Sequence, residues 1–392
     1  MSDPRVVAFV NFTGLGSDGS WPATAASMAS ALEAAGNTVI RIRPIGTENP
    51  LFWRAIQAIY RMAGIRFHGD RQEKVVRKLS LSVKEQLQGH RPDLVLCSSS
   101  LPVPFLDVNV PVAFWTDATF NGMLDFYPEF SKLSRTTRRN GAFYETLALR
   151  RAQLAVYSSE WAARSAIQDH GADPAKVHVI PFGPNLSGIP SREDVYRSIA
   201  ERSRTECHLL FIGYDWERKR GPLVLKVHRS LRERGIDSRL TVIGCEPDIS
   251  RQDRDGVDLV GRIDKSDPVQ KERFLQLLRS AHFLVLPSKA ECYGIVYAEA
   301  SAFGIPSVGC DTGGVPSAIL HGVNGWLFPA EVAPVTIADQ LLSIWSDPDR
   351  YDAAAHAARK DHEERTDWNV GVRSLMQKID ALALSRITKV PA

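Results

Sequence analysis

Short apolar runs rich in β-branched residues recur along this chain and alternate with longer stretches of helical period. In the first half the runs predict strands at 6–11, 39–42, 94–97, 112–115, 155–158 and 177–180. Several are continuous rather than alternating, the pattern of parallel strands buried on both faces. Helical stretches at 23–35, 146–151 and 160–168 lie between them. A second series follows, with strands at 209–212, 240–243, 259–260, 283–286 and 307–308, and helices at 223–234, 269–279, 296–302 and 335–345. Residues 181–205, rich in Pro, Gly, Ser and charge, separate the two series and read as a linker. Beyond Asp349 the pattern is helical to near Arg386, with Thr366, Asp367 and Trp368 as a helix start.

This alternation implies an α/β fold with two Rossmann-like doubly wound parallel-sheet domains. The length of 392 residues agrees, because a single core seldom grows past roughly 250–300 residues. Sheets of this kind bind ligands beyond the carboxyl ends of their strands. Two of them facing a central cleft would place the useful residues just after strands.

Composition adds less. Apolar content of 44% and charged content of 24% are ordinary for a soluble globular chain. A net charge of +3 makes no case for nucleic acid. The five cysteines are scattered without a CxxC pair, so neither a zinc site nor a disulfide frame is expected, and Cys292 reads as a packing residue. The first residues show no basic leader before an apolar run, and no stretch of ~18 uncharged apolar residues occurs, which together predict a cytoplasmic location. One local exception is 51–84, where eight cations face two acids and Phe52, Trp53, Ile56, Ile59 and Tyr60 are interleaved. That is the pattern of a packed helix with a solvated basic face. It also admits an anionic acceptor or peripheral contact at the inner face of a membrane.

Chemistry concentrates in 284–328. A buried strand there runs into a loop with Glu291, and Gly294 opens a helix that carries Glu299. Eight helical residues span roughly 12 Å. Carboxylates accept hydrogen bonds from hydroxyls and repel phosphate, so acids so spaced suit a ligand with hydroxyls at both ends and a diphosphate between, as in a nucleotide-sugar. Exposed amides of Gly294, Ile295 and Val296 at the helix start would meet the phosphate. Gly213 ends another strand, and Arg218, Lys219 and Arg220 follow it before a helix. Cations in that place suit a diphosphate whose charge grows as its bond to the sugar breaks. Gly14, Gly16 and Gly19 spell GxGxxG after the first strand, which is also the dinucleotide fingerprint. The second strand ends in Arg41 and Arg43 rather than an acid, so an NADP-dependent oxidoreductase stays open and NAD is disfavoured. Asp117 follows a strand, either to face a ligand or to cap a helix. Asp253 with Asp255, and Asp347 with Asp349, spell DxD in turn-like settings, and His68, His170 and His321 have no ligand spacing, so no essential metal is expected.

The segment around Glu291 resembles the retaining glycosyltransferases of GT-B architecture, specifically the large family 4 group. The family's E-x7-E signature stands as Glu291 and Glu299, its Gly-Gly-x-Pro turn as Gly313, Gly314, Val315 and Pro316, and its Asn-Gly-x-Leu element as Asn324, Gly325, Trp326 and Leu327. Ser317 replaces an acid the family often has. Tyr214 replaces the Arg expected directly after Gly213, with Arg218 as its substitute. The resemblance implies an acceptor-side domain at 1–190, a donor domain at 191–365, and a C-terminal helix at 366–392 crossing back to the first domain. It implies hexosyl transfer from a UDP-, GDP- or ADP-sugar to a sugar, glycolipid or small-molecule acceptor, with no cofactor beyond the donor. Donor contacts would come from Gly14, Gly16, Gly213, Arg218, Lys219, Gly261, Arg262, Glu291, Tyr293, Gly294, Ile295, Val296 and Glu299. Asp117, Lys219 and Glu291 would carry the chemistry: Glu291 on the donor sugar, Asp117 near the reacting carbon and Lys219 on the diphosphate. Glu299 would hold the ribose, and Gly261 with Arg262 the base. A catalytically silent sugar-nucleotide binder is the non-enzymatic alternative.

Overall fold

The computed structural model describes residues 4–12, 22–46 and 50–387. Gly14, Gly16 and Gly19 lie outside these residues. The chain divides into two compact units: Met1–Pro181 together with Trp368–Ala392, and Phe182–Asp367. Among the described residues no helix is long and apolar enough to cross a membrane.

The first unit is built on β1 (Val6–Val10), β2 (Thr38–Ile42), β3 (Leu94–Cys97), β4 (Val112–Thr116), β5 (Leu154–Tyr157) and β6 (Val177–Val179). They form one sheet in the order β2-β1-β3-β4-β5-β6 with parallel pairing throughout. The continuous apolar runs become strands buried on both faces: β3, β4 and β5 are buried at every position. Helices α1 (Pro22–Ala34), α2 (Pro50–Met62), α3 (Glu73–Gln86), α4 (Phe120–Met123), α5 (Arg135–Arg151) and α6 (Glu160–Gln168) connect them. α5 begins well before the predicted 146. Its first turns read RTTRRNG, whose polarity hides the helical period, and Ser134 caps it by accepting from the Thr137 amide.

The second unit repeats the scheme with β7 (Glu206–Ile212), β8 (Asp237–Ile243), β9 (Val257–Gly261), β10 (Phe283–Val285), β11 (Ser307–Cys310) and β12 (Gly325–Phe328), in the order β12-β11-β10-β7-β8-β9. The missed strand β12 is short and starts on a glycine. A Cβ at Gly325 would overlap the Ser307 carbonyl of β11, so only glycine brings this edge strand in. Helices α7 (Arg192–Glu201), α8 (Gly221–Glu233), α9 (Pro268–Ser280), α10 (Ile295–Ala302), α11 (Val315–Ala318), α12 (Pro334–Trp345) and α13 (Pro348–Asp361) complete it.

α7 corrects the reading of 181–205 as a linker. Ser191 caps it on the Asp194 amide, and Val195 and Ile199, four apart on one face, are buried. Arg202 then enters the core, donating to the carbonyls of Phe303 and Gly304 and to the Tyr351 hydroxyl. Two apolar positions in a charged decapeptide suffice because they lie on one face of the helix.

α14 (Trp368–Ile387) belongs to the first unit. Trp368 meets Trp115 edge-on at 5.4 Å, and the Trp115 indole donates to the Ile180 carbonyl at 3.0 Å. Arg5 forms an ion pair with Asp380.

Candidate functional site

In the second unit β8 and β9 follow β7 on one side of the sheet, whereas β10, β11 and β12 lie on the other. The strand order therefore reverses between β7 and β10, where open α/β sheets form ligand crevices beyond their carboxyl ends. Both key segments of the sequence sit there. The loop after β7 carries Gly213, Arg218 and Lys219, and the loop after β10 carries Glu291. The Lys289 amide donates to the Arg218 carbonyl at 2.8 Å and ties the loops together.

The side chains read separately in the sequence are paired in space. Lys219 donates through Nζ to Glu291 Oε2, and Arg218 Nη1 stands 3.7 Å from the same oxygen. Arg218 is held by the Ala290 carbonyl at 2.7 Å and Asp215 at 3.6 Å. Lys219 is only 7% exposed, so this cation is largely stripped of water before any anion arrives. Gly213 lies against the Lys219 stem: a Cβ there would stand 3.0 Å from Cγ.

Gly294 precedes α10 at φ +86°, a left-handed conformation that costs a side-chain-bearing residue energy. An added Cβ would also stand 2.5 Å from the Tyr297 ring. Gly294 offers no side-chain cap, so it leaves the first amides of α10, including those of Ile295 and Val296, to other acceptors. Glu299, one turn further on, is buried. Its Oε1 accepts from Lys265 Nζ at 2.8 Å, and its Oε2 is buried with no partner among the described residues. Lys265 was missed in the sequence. Its signal was a cation four residues after the end of β9 and three beyond Arg262.

Other expected residues take quieter places. The Tyr293 side chain is buried, its hydroxyl donates to the Phe182 carbonyl at 3.0 Å, and burial pushes its pKa up. Its side chain is thus committed to packing. Gly261 ends β9, where the Gly244 amide donates to its carbonyl at 2.8 Å, and the Arg262 guanidinium lies 5.4 Å from the Tyr214 ring centre. The Asn324 amide bonds to the Ala318 carbonyl and to Asp361 at 2.8 Å, so the Asn-Gly-x-Leu element is structural. Asp253 and Asp255 pair with Arg229 and Arg232, and Asp347 caps α13. In the first unit Asp117 follows β4 and is half-buried. It does not cap α4, because Thr119 does so through the Gly122 amide.

Two family models match. The first, glycosyl transferases group 1, covers residues 206–347, and the second, glycosyltransferase family 4, covers residues 23–187. The chain belongs to the group 1 glycosyltransferases of GT-B fold. A D-inositol 3-phosphate glycosyltransferase of Pseudarthrobacter chlorophenolicus is 32% identical over 50% of this chain and 47% of its own length. One from Nocardiopsis dassonvillei is 28% identical over 63% and 60%. The chain spans about half the length of most curated relatives it matches. Among solved structures, sucrose-phosphate synthase from Thermosynechococcus elongatus superposes with TM-score 0.66 at 16% identity, covering 97% of this chain and 100% of that one. Anabaena HepE, in complex with UDP and glucose, gives 0.60 at 16% identity, covering 96% and 99%. At such identity the structures establish the shared fold alone. Within this family the reversal point between β7 and β10 is the candidate donor site.

Proposed function

We propose that the protein transfers a hexosyl group, with retention of configuration, from a nucleotide-diphosphate-sugar to an acceptor hydroxyl. The observation that carries this reading is the paired arrangement beyond β7 and β10: a dry Lys219 on Glu291, and Glu299 with one buried oxygen that has no partner among the described residues. Lys219, Arg218 and the amides of Ile295 and Val296 would stabilise the leaving diphosphate. Glu291 would accept hydroxyls of the donor sugar, and Glu299 a ribose hydroxyl. The bond from anomeric carbon to diphosphate oxygen breaks, the bond to the acceptor oxygen forms, and the acceptor proton passes to the leaving phosphate.

The curated relatives named as D-inositol 3-phosphate glycosyltransferases support an acceptor with several hydroxyls. HepE, solved with UDP and with UDP-glucose, makes UDP-glucose the first donor to test. Both family models name transferases, which leaves the oxidoreductase reading of Gly14, Gly16 and Gly19 without support. Calorimetric titration with UDP-, GDP- and ADP-sugars should find one donor that binds, and proton NMR of the product should show the donor's anomeric configuration. Binding of none of the three, or an inverted product, refutes the corresponding part of the proposal.

A further inference from the structure

Helix α2 carries two apolar faces, and the core uses only one of them. On the inner face Trp53 and Tyr60 stack on Phe67, with ring centres 6.2 Å and 4.9 Å apart. On the outer face Leu51, Phe52, Ile59 and Met62 are 72%, 52%, 62% and 81% exposed. At 100° per residue these four fall within one arc of the helix; Leu51 and Met62 lie opposite Tyr60 and Trp53, while Phe52, at the edge of the arc, meets the Trp53 ring edge-on at 5.1 Å. Single exposed apolar residues are ordinary, but a contiguous exposed stripe marks a contact surface.

Charge identifies what would meet it. α2 contains no acidic residue, and Arg54 and Arg61 run along one flank of the stripe. Arg66 follows the helix, and its amide donates to the carbonyl of a further cation, Lys132, at 2.9 Å. None of these four cations pairs with a carboxylate among the described residues, whereas Arg41, Arg138, Arg204, Arg229 and Arg232 each do. Arg54, Arg61, Arg66 and His68 line a concavity of about 710 Å³, whose acid is Glu129. A protein partner with an apolar groove would satisfy the stripe but would leave the cations facing a low-dielectric contact. A bilayer with anionic headgroups satisfies both: the apolar side chains enter the acyl boundary, and the guanidiniums reach up to phosphates.

We infer that α2 docks the first unit onto an anionic lipid surface, with Leu51, Phe52, Ile59 and Met62 inserted and Arg54, Arg61 and Arg66 on headgroup phosphates. The test is co-sedimentation of the full chain with vesicles of phosphatidylcholine alone, or with 30% phosphatidylglycerol added. Wild type should bind the mixed vesicles, bind the neutral ones far more weakly, and release in high salt. Each arginine near such a surface contributes roughly fivefold in partitioning, so Arg54→Gln with Arg61→Gln should lower it about 25-fold. Ile59→Ser with Met62→Ser should abolish the remaining binding without moving the melting temperature, since both side chains are largely exposed. Equal binding of wild type to both vesicles, or unchanged binding of both double variants, overturns the inference. A dimer in light scattering that Ile59→Ser dissolves, with no vesicle binding, also overturns it and assigns the face to a second copy.

Discussion

Glu299 permits the sharpest test, because its two oxygens have different environments. Oε1 is satisfied by Lys265 at 2.8 Å, while Oε2 is buried and lacks a partner among the described residues. A buried acceptor in that condition costs about 1–3 kcal/mol, and a hydrogen bond to a charged group contributes about 1.5–3 kcal/mol. The folded protein has already met the desolvation cost, so a ribose hydroxyl reaching Oε2 should gain most of the second figure. At 1.4 kcal/mol per tenfold, Glu299→Ala should weaken donor binding roughly 10- to 150-fold. Glu299→Gln keeps the size and an acceptor for Lys265 but loses the charge, so about tenfold is expected. Titration calorimetry with the preferred donor and its 2′,3′-dideoxyribose analogue isolates the contact. Removing the hydroxyls should cost wild type as much as Glu299→Ala does, and should cost the alanine variant almost nothing. Equal losses in both proteins would falsify the ribose assignment, whatever the absolute affinities.

The remaining expectations use other readouts. Lys219→Met should lower kcat by about 10²–10³ in single-turnover assays, with donor KM moving less, because the lost interaction strengthens as the diphosphate leaves. Gly294→Ala combines a positive φ with a Cβ 2.5 Å from the Tyr297 ring and should destabilise by more than about 1 kcal/mol in denaturant titration. Asn324→Ala should lower the melting temperature while leaving donor affinity within about twofold, since its partners are Ala318, Leu320 and Asp361. Burial lowers His282 to about 3 and His208 to about 4, so both stay neutral when folded, while the unfolded chain takes up protons below the ordinary 6.5. Their stabilisation is present above pH 6.5 and is lost as pH falls towards those values, at about 1.4 kcal/mol per histidine per pH unit. The melting temperature of His282→Asn should therefore fall less steeply between pH 7 and 4.5 than that of wild type.

Strands of both sheets were legible because parallel strands buried on both faces leave unbroken apolar runs. The start of α5 was not, since its polar first turns carry no apolar period and only the Ser134 cap marks it. α7 was not, since two buried residues in a charged segment look like a linker until the core they pack on exists. The site divides in the same way. Glu291, Glu299 and Lys219 could be picked out as residue types in positions after strands. Their pairing could not, because Lys219 and Glu291 are 72 residues apart and Lys265 and Glu299 are 34 apart. Asp117 shows the limit of local rules: a short polar residue before a helix suggests a cap, yet the hydroxyl two positions later takes that role.

Those long-range pairs also bear on how the site would work. A strand-order reversal sets β7 beside β10, so the two loops face each other across one strand spacing and Glu291 becomes the counter-ion of Lys219. The cation is then dry, oriented and tethered before a diphosphate arrives. A buried charge without Glu291 would be costly, and a lysine solvated in an open loop would have to shed water and side-chain freedom during the reaction. Glu291 therefore has two successive tasks in the proposed cycle. It keeps Lys219 in place, and it turns to the donor sugar when phosphate oxygens take over the ammonium. Lys219 thus keeps an anionic partner throughout, while Arg218 and the amides at the start of α10 offset the charge that the diphosphate brings; because these groups are already oriented, the electrostatic stabilisation needs little reorganisation.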